Sequence, residues 1–325
     1  MGKYVVRRVL LGMLTALVVS VMVFALMRIA PGDVALMIVE GQAGEYWTQE
    51  QYEAIKLELG LDAPVHEQYF NWLFGFVVGD WGESLYTGEN VWEAFTDKFP
   101  VTVELAFFTV VLSVIIGIPI GVIMALRQDT WVDYVLRIVS LAGLSIPGFW
   151  LGTLLIVAGL YFFRWSPSIV YIPPFTTEKW GEGNLWGNFV QFVWPCLIGG
   201  YVSMATKSRM MRSTMLEVLR QDYIRTAHSK GLRNFIVVYR HALKNALIPV
   251  ITVIGITIAF TIGGSVITER VFILPGVGNM MVTAMSNRDF PIVQSLVLFF
   301  AMWIVITNLI VDLSYGWLDP RIRYD

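Results

Sequence analysis

Between Arg225 and Asn245 the chain reads RTAHSKGLRNFIVVYRHALKN, with five Lys or Arg and two of its three histidines, in a sequence that is 56% hydrophobic. Such a cluster has four uses: reading nucleic acid, holding anionic lipid, ligating a metal, or seating another protein. Metal ligation fails on spacing, because His228 and His241 lie 13 residues apart on different expected helices and His66 is far away. The single cysteine, Cys196, sits in an apolar run, which excludes an internal disulfide and any multi-cysteine cluster and makes it a packing residue. No nucleic-acid module fits the cluster. Attraction to anionic lipid, at about 1 kcal/mol per basic residue near the surface, remains open, as does a protein partner. Elsewhere there is no G-x-x-x-x-G-K-[ST] phosphate loop, no Gly-x-Ser-x-Gly elbow and no His-Glu-x-x-His helix. Neither ATP hydrolysis nor another catalytic constellation is encoded in the chain.

The elements that position this cluster follow from composition. With 325 residues, 15% of them charged, and a mean hydropathy of +0.63, the chain is too apolar for a water-soluble core, so a bilayer is its expected solvent. Apolar runs near the roughly 20 residues that cross a membrane occur at Val9–Ala30, Thr102–Leu126, Ile138–Phe163, Phe189–Ala205, Ala246–Thr268 and Ile292–Val311. The first follows Lys3, Arg7 and Arg8 and is read as a retained anchor. Six spans put both termini on one side. That side holds sixteen Lys and Arg against seven on the other, and the excess marks it as cytoplasmic together with the basic cluster. The expected organisation is residues 1–30 for the N-terminus and first span, an external segment over 31–101, the remaining spans over 102–311 with a cytoplasmic loop at 206–245, and a cytoplasmic tail over 312–325.

Residues 31–100 carry thirteen Asp or Glu against two Lys. Here Thr48 with Glu50 or Gln51 predicts a capped helix whose face is Tyr52, Ile55 and Leu59, stopped by Gly60 before Pro64. The GDWGES stretch near Asp80 reads as a turn. The segment is either a solvated cap or a docking surface. The middles of the spans hold no carboxylate, lysine or histidine; Arg28 and Glu104 lie at span ends, within reach of the interface. This argues against a proton-coupled pump. Gly117 and Gly121, Gly148 and Gly152, and Gly263 and Gly264, with Pro119 and Pro147 inside spans, are expected to let helices pack closely and kink.

Within the cluster, Thr214 with Glu217 predicts a capping box, Asp222 a fresh turn, Gly231 a helix stop, and Asn234 the cap of a second helix running into the fifth span. Two helices meeting at a glycine corner are expected outside the membrane. None of lipid attraction, nucleic-acid binding or topology-setting charge requires such a corner.

The corner carries a family resemblance. RTAHSKG has the spacing of the E-A-A-x-x-x-G signature of ABC importer permeases, with Arg225, Thr226 and Ala227 at its first three positions and Gly231 at its glycine; the signature's leading glutamate is arginine here. Where many members have I-x-L-P, this chain has His241, Ala242, Leu243 and Lys244 before NALIP. That variant, with RIAPGD, LGLDAPVHEQYFNWL, GDWGES, SIPGFWLG, FILPGVG and DPRIRY, resembles the oligopeptide, dipeptide and nickel branch over nearly the whole chain. The resemblance implies an all-α membrane fold of the type I importer and a prokaryotic cell membrane. It implies a homologous second permease subunit, two cytoplasmic ABC ATPases that bind ATP and magnesium, an external solute-binding protein, and no cofactor or nucleic acid in this chain. It also implies a coupling helix ending at Gly231 and seated on an ATPase. The residues carried over are Asp222, Tyr223, Ile224, Arg225, Thr226, Ala227, Gly231 and Leu232, then His241, Ala242, Leu243 and Asn245. Peptides or dipeptides are the expected cargo, since an uncharged path suits zwitterions; nickel chelates or oligosaccharides are the alternative. The rivals from other classes are a self-sufficient channel or secondary carrier, and a membrane-embedded enzyme.

Overall fold

The computed structural model describes residues 2–29, 35–36, 39, 47–58, 60–168, 170–177 and 179–318. The quoted stretches RIAPGD and DPRIRY fall largely outside them. Among the described residues the fold is helical, with only two isolated bridges, Glu83 to Asn90 and Thr177 to Gly181. In chain order the helices are α1 (Gly2–Ile29), α2 (Gln49–Glu58), α3 (Val65–Val78), α4 (Val91–Leu126), α5 (Trp131–Ser145), α6 (Gly148–Phe163), α7 (Leu185–Leu219) and α8 (Asp222–Ser229). Then come a short α9 (Asn234–Ile236), a π-helical turn (Val237–Ala242) and α10 (Leu243–Phe272), which run on as one rod, followed by α11 (Val277–Ser286) and α12 (Phe290–Leu318).

Among the described residues, five stretches are long and apolar enough to cross a membrane: Val5–Leu26, Val91–Leu126, Leu185–Leu219, Asn234–Phe272 and Phe290–Val311. The expected third span, Ile138–Phe163, is not one helix. It is α5 and α6, bent by 99°, and it makes a sixth crossing only if the bent pair counts as one. Pro147 explains the break: it has no N–H to donate, and it pushes Ile146 out of the helical region, to φ −96° and ψ 125°. The fourth span also differs, since α7 extends far past Ala205 to Leu219.

The chain forms two compact units. Among the described residues one comprises 2–99 and 280–306, the other 100–279 with 307–318. In the first, Thr48 and Gln51 form the expected capping box: Gln51 N–H donates to Thr48 Oγ1, and Thr48 N–H donates to Gln51 Oε1. Gly60 stands at φ +63° beyond that helix. The GDWGES turn opens with Gly79 at φ +86° capping α3, and buries Trp81, whose ring stacks on Phe76 at 4.9 Å and whose indole N–H donates to the Phe76 carbonyl. Ser84 at the end of the turn donates to Asp289.

In the second unit, glycines set how closely helices approach. A Cβ added at Gly121 of α4 would lie 2.5 Å from Met211 Cβ and 2.6 Å from the Ser208 carbonyl on α7, so only glycine fits there. Gly152 similarly faces Val271 and Phe272. Gly263 and Gly264 do not follow that expectation, for among the described residues no neighbouring helix comes within 4 Å of their Cβ positions. Cys196 packs as expected, buried with Val101, Leu105, Phe192 and Phe272. Beside that core, burial and the adjacent Glu104 carboxylate push the Tyr171 phenol above its ordinary value; Tyr171 donates to Glu104 at 3.0 Å, as does Asn188.

Candidate functional site: a welded helix corner and a neutral cavity

The corner is built as a stop, a short helix and a second stop. α7 ends at Leu219, Gln221 adopts an extended conformation, and Asp222 opens α8. Thr214 does not cap this turn. It lies inside α7, and its hydroxyl donates back to the Met210 and Met211 carbonyls, the usual use of a mid-helix threonine. At the far end Gly231 takes φ +75°. Its N–H donates to the His228 carbonyl at 2.9 Å and that of Leu232 to the Ala227 carbonyl at 3.4 Å, the two bonds of a Schellman motif. Asn234 does not cap the following helix through its side chain; Arg233 holds that position, and Asn234 is already helical.

α8 is fastened to the bundle on two sides. Ile224 and Ala227 are buried in one cluster with Met211 and Met215 of α7, Val237, Val238 and Ala242 of the π turn, and Ala246 and Val250 of α10. Burying the Ile224 side chain alone is worth about 1.5–3 kcal/mol relative to leaving it in water. On the opposite flank, Asn245 Nδ2 donates to Tyr223 Oη at 2.8 Å and to the His241 carbonyl at 3.1 Å. The short helix therefore cannot shift without moving the start of α10. Of the expected coupling residues, Ile224, Ala227 and Ala242 lie in this chain's own core, while Leu232, His241 and Leu243 are half-buried against it. Asp222, Tyr223, Arg225, Thr226, Gly231 and Asn245 face outward, and space is open around the Gly231 Cβ position. Arg225 and Asp222 approach to 3.5 Å, both strongly exposed, a pair worth little by itself. His228 is exposed and His241 half-buried; among the described residues no group of three His, Cys, Asp or Glu is placed to hold a metal.

Among the described residues three fully buried charges, Asp133, Glu269 and Lys207, escaped the sequence reading, as did the nearly buried Asp289. Asp133 of α5 is fully buried and accepts a bidentate pair from Arg212 of α7, Nε at 2.9 Å and Nη2 at 2.8 Å, with Arg137 at 2.7 Å and the Asp129 N–H at 3.1 Å. It ties α5 to the same helix that leads into the corner. Its signal is the i, i+4 spacing of Asp133 and Arg137. Glu269 of α10, also fully buried, accepts from Thr102, Ser265 and the Asn279 N–H, each at 2.9 Å. Gly276 and Gly278 make room for it: a Cβ at Gly276 would collide with the carboxylate, and one at Gly278 would come within 2.9 Å of it. The P-G-V-G tetrad following Glu269 is the readable trace of this cradle. Lys207 lies within α7 and is fully buried. The expectation of charge-free spans had placed it outside, because the apolar run breaks at Ala205.

A cavity of about 660 Å³ opens between α4, α5, α6, α7 and α10. Its wall combines apolar side chains such as Leu105, Phe149, Ile198 and Phe260 with the hydroxyls of Thr109, Ser203, Thr206, Thr257, Thr261, Ser265 and Thr268. Among the described residues no ionisable side chain lines it. Gly264 is part of the same wall, which gives a use for its missing side chain.

Comparison with known proteins agrees with this architecture. The chain is 38% identical to the probable peptide ABC transporter permease protein y4tP of Sinorhizobium fredii, over the whole of both chains. It is 36% identical to the dipeptide transport system permease protein DppB of Escherichia coli, covering 100% of this chain and 99% of that one. A chain of the inward-facing MetNI methionine ABC transporter superposes with a TM-score of 0.54 at 15% identity, covering 69% of this chain and 96% of its own, which supports the fold alone. Residues 1–106 match the N-terminal model of binding-protein-dependent transport system membrane components. Residues 117–324 match the main model, and the chain therefore belongs to the family described as binding-protein-dependent transport system inner membrane component.

Proposed function

We propose that this chain is one permease subunit of an ATP-driven importer of peptides, with dipeptides as the favoured cargo. A homologous second permease completes the path, two ABC ATPases in the cytoplasm bind and hydrolyse ATP with magnesium, and an external binding protein delivers the solute. Both termini and the α8 corner then face the cytoplasm of a prokaryotic cell, in keeping with the excess of basic residues on that side. The observation that carries this reading is the corner itself: a short helix with an exposed outer face, welded through Ile224, Ala227 and the Tyr223–Asn245 bond to two long helices. A rigid-body shift delivered to such a helix moves the long helices with it. Tyr223, Arg225, Thr226 and Gly231 supply the face that an ATPase groove would cover. Full-length similarity to proteins named as peptide permeases supports the cargo, and the uncharged cavity wall suits a zwitterion.

The test is reconstitution in proteoliposomes with the second permease, both ATPases and the binding protein. ATP-dependent accumulation of a labelled dipeptide is expected, with cysteines introduced at Thr226 crosslinking to an ATPase subunit. Dipeptide movement by this chain alone, without ATP, would assign it instead to self-sufficient carriers.

A further inference from the structure

Lys207 poses a problem the importer reading leaves open. Its side chain is fully buried, and its ammonium donates to Ser203 Oγ at 2.7 Å, to the Ser203 carbonyl at 3.4 Å and to Thr257 Oγ1 at 3.3 Å. All three acceptors are neutral, and among the described residues no carboxylate pairs with it. A buried charge without a counter-charge is costly, and inside a membrane protein it usually marks a ligand path. Packing does not demand it. The stem lies against Gly117 of α4, where an added Cβ would sit 3.3 Å from Lys207 Cβ, and an uncharged methionine would fill the same space.

Both hydroxyls that receive the ammonium also line the 660 Å³ cavity. Thr257 commits its own proton to the Val253 carbonyl at 2.7 Å. Ser203 accepts from the ammonium and keeps its O–H free to donate, so a polarised donor stands at a neutral wall. The two contacts longer than 3.2 Å are weak and readily exchanged for a carboxylate oxygen, whose charge-assisted bonds are shorter and stronger. A single positive charge with no fixed partner matches a single carboxylate, and one contact of this kind holds a solute loosely enough to release it, as a transport path requires.

We propose that Lys207, acting through Ser203, receives the terminal carboxylate of a peptide in transit. The assignment rests on the peptide-importer reading and adds a station inside this chain's own cavity. The neutral hydroxyls of Thr206, Thr257 and Thr261 surround that station, and the apolar wall accepts the side chains.

The test uses the assembled transporter in nanodiscs without the binding protein, carrying Thr206→Cys in the cavity wall. The rate of maleimide labelling is followed in the presence of dialanine or of dialanine amide. Dialanine is expected to slow labelling at a concentration at least tenfold lower than the amide, and Lys207→Met is expected to erase that difference while leaving the amide response in place. Lys207→Arg should retain part of it. Equal protection by acid and amide, or a difference that survives Lys207→Met, overturns the assignment. Should Lys207→Met fail to assemble, the comparison of acid with amide in the lysine-bearing protein still decides. ATP-driven dialanine uptake by the unmodified complex is measured in parallel. Uptake with equal protection removes only the carboxylate station, whereas absence of uptake together with absence of protection removes the peptide reading as well.

Discussion

Tyr223 and Asn245 lie 22 residues apart and meet in one hydrogen bond, 2.8 Å from the amide nitrogen to the phenol oxygen. The bond joins the first turn of α8 to the first turn of α10, the helix whose far end carries Glu269. An exposed bond of this kind adds about 0.5–1.5 kcal/mol to stability, too little to account for folding. Its value lies in register. Replacing Asn245 by Ala, or Tyr223 by Phe, is expected to leave the amount of protein in the membrane unchanged while lowering solute moved per ATP several-fold. Simultaneous measurement of uptake and phosphate release checks this, and unaltered stoichiometry in both variants would refute it.

Gly231 permits a sharper experiment. Its φ of +75° costs an L-residue about 1–2 kcal/mol, yet the space beyond its Cβ position is open in this chain. Gly231→Val should therefore insert and fold, and lose coupled uptake because the added side chain occupies the face an ATPase would cover. Gly231→Ala should fall between the two. Normal ATP-driven uptake by the valine variant would contradict the corner's role.

Asp133 predicts a stability effect without a partner subunit. Asp133→Ala leaves Arg212 and Arg137 without their shared carboxylate; both guanidinium side chains keep contact with solvent, so the loss is that of charged hydrogen bonds, about 1.5–3 kcal/mol, rather than that of a stranded buried charge. A clear fall in the midpoint of thermal unfolding of the solubilised protein is expected, with Asp133→Asn less affected. A midpoint unchanged in the alanine variant would show that the cluster is dispensable.

Glu269→Ala would remove the acceptor of the Thr102 hydroxyl and of the Asn279 N–H at once, at about 1–3 kcal/mol for each buried donor left unsatisfied, while the Ser265 hydroxyl keeps the Ile262 carbonyl at 2.8 Å. Glu269→Gln keeps one acceptor oxygen and is expected to be milder. Gly276→Ala should resemble Glu269→Ala, since its methyl collides with the carboxylate. Membrane abundance of the three variants, read by immunoblot, gives the ordering.

Much of this fold could be read from local signals. The caps at Thr48, Gly60 and Gly231 depend only on neighbours within a helical turn, and each stands where residue type places it. The long apolar stretches were visible for the same reason. Failures came wherever a distant helix decides. Thr214 carries a capping pattern, but the packing of Met211 and Met215 keeps α7 helical through it. Lys207 looked like the first residue of a loop because hydropathy drops there, yet α4 leaves room for its stem at Gly117. Pro147 was legible as a kink, though the 99° turn it produces was not. Of the candidate site, the residues of α8 were found by spacing, whereas their inward and outward assignment required the cluster around Ile224.

The length of α7 has a mechanical corollary. Thirty-five residues at 1.5 Å each make a rod of about 52 Å, while hydrocarbon is only about 30 Å thick. The rod therefore exceeds the hydrocarbon by roughly 20 Å, and its polar end, with Arg209, Arg212 and Arg220, is the end that meets α8. The cavity residues Ile198, Gly199, Val202, Ser203 and Thr206 sit midway along the same unbroken helix, so a push received at the α8 end would reach the cavity wall along a single rigid element.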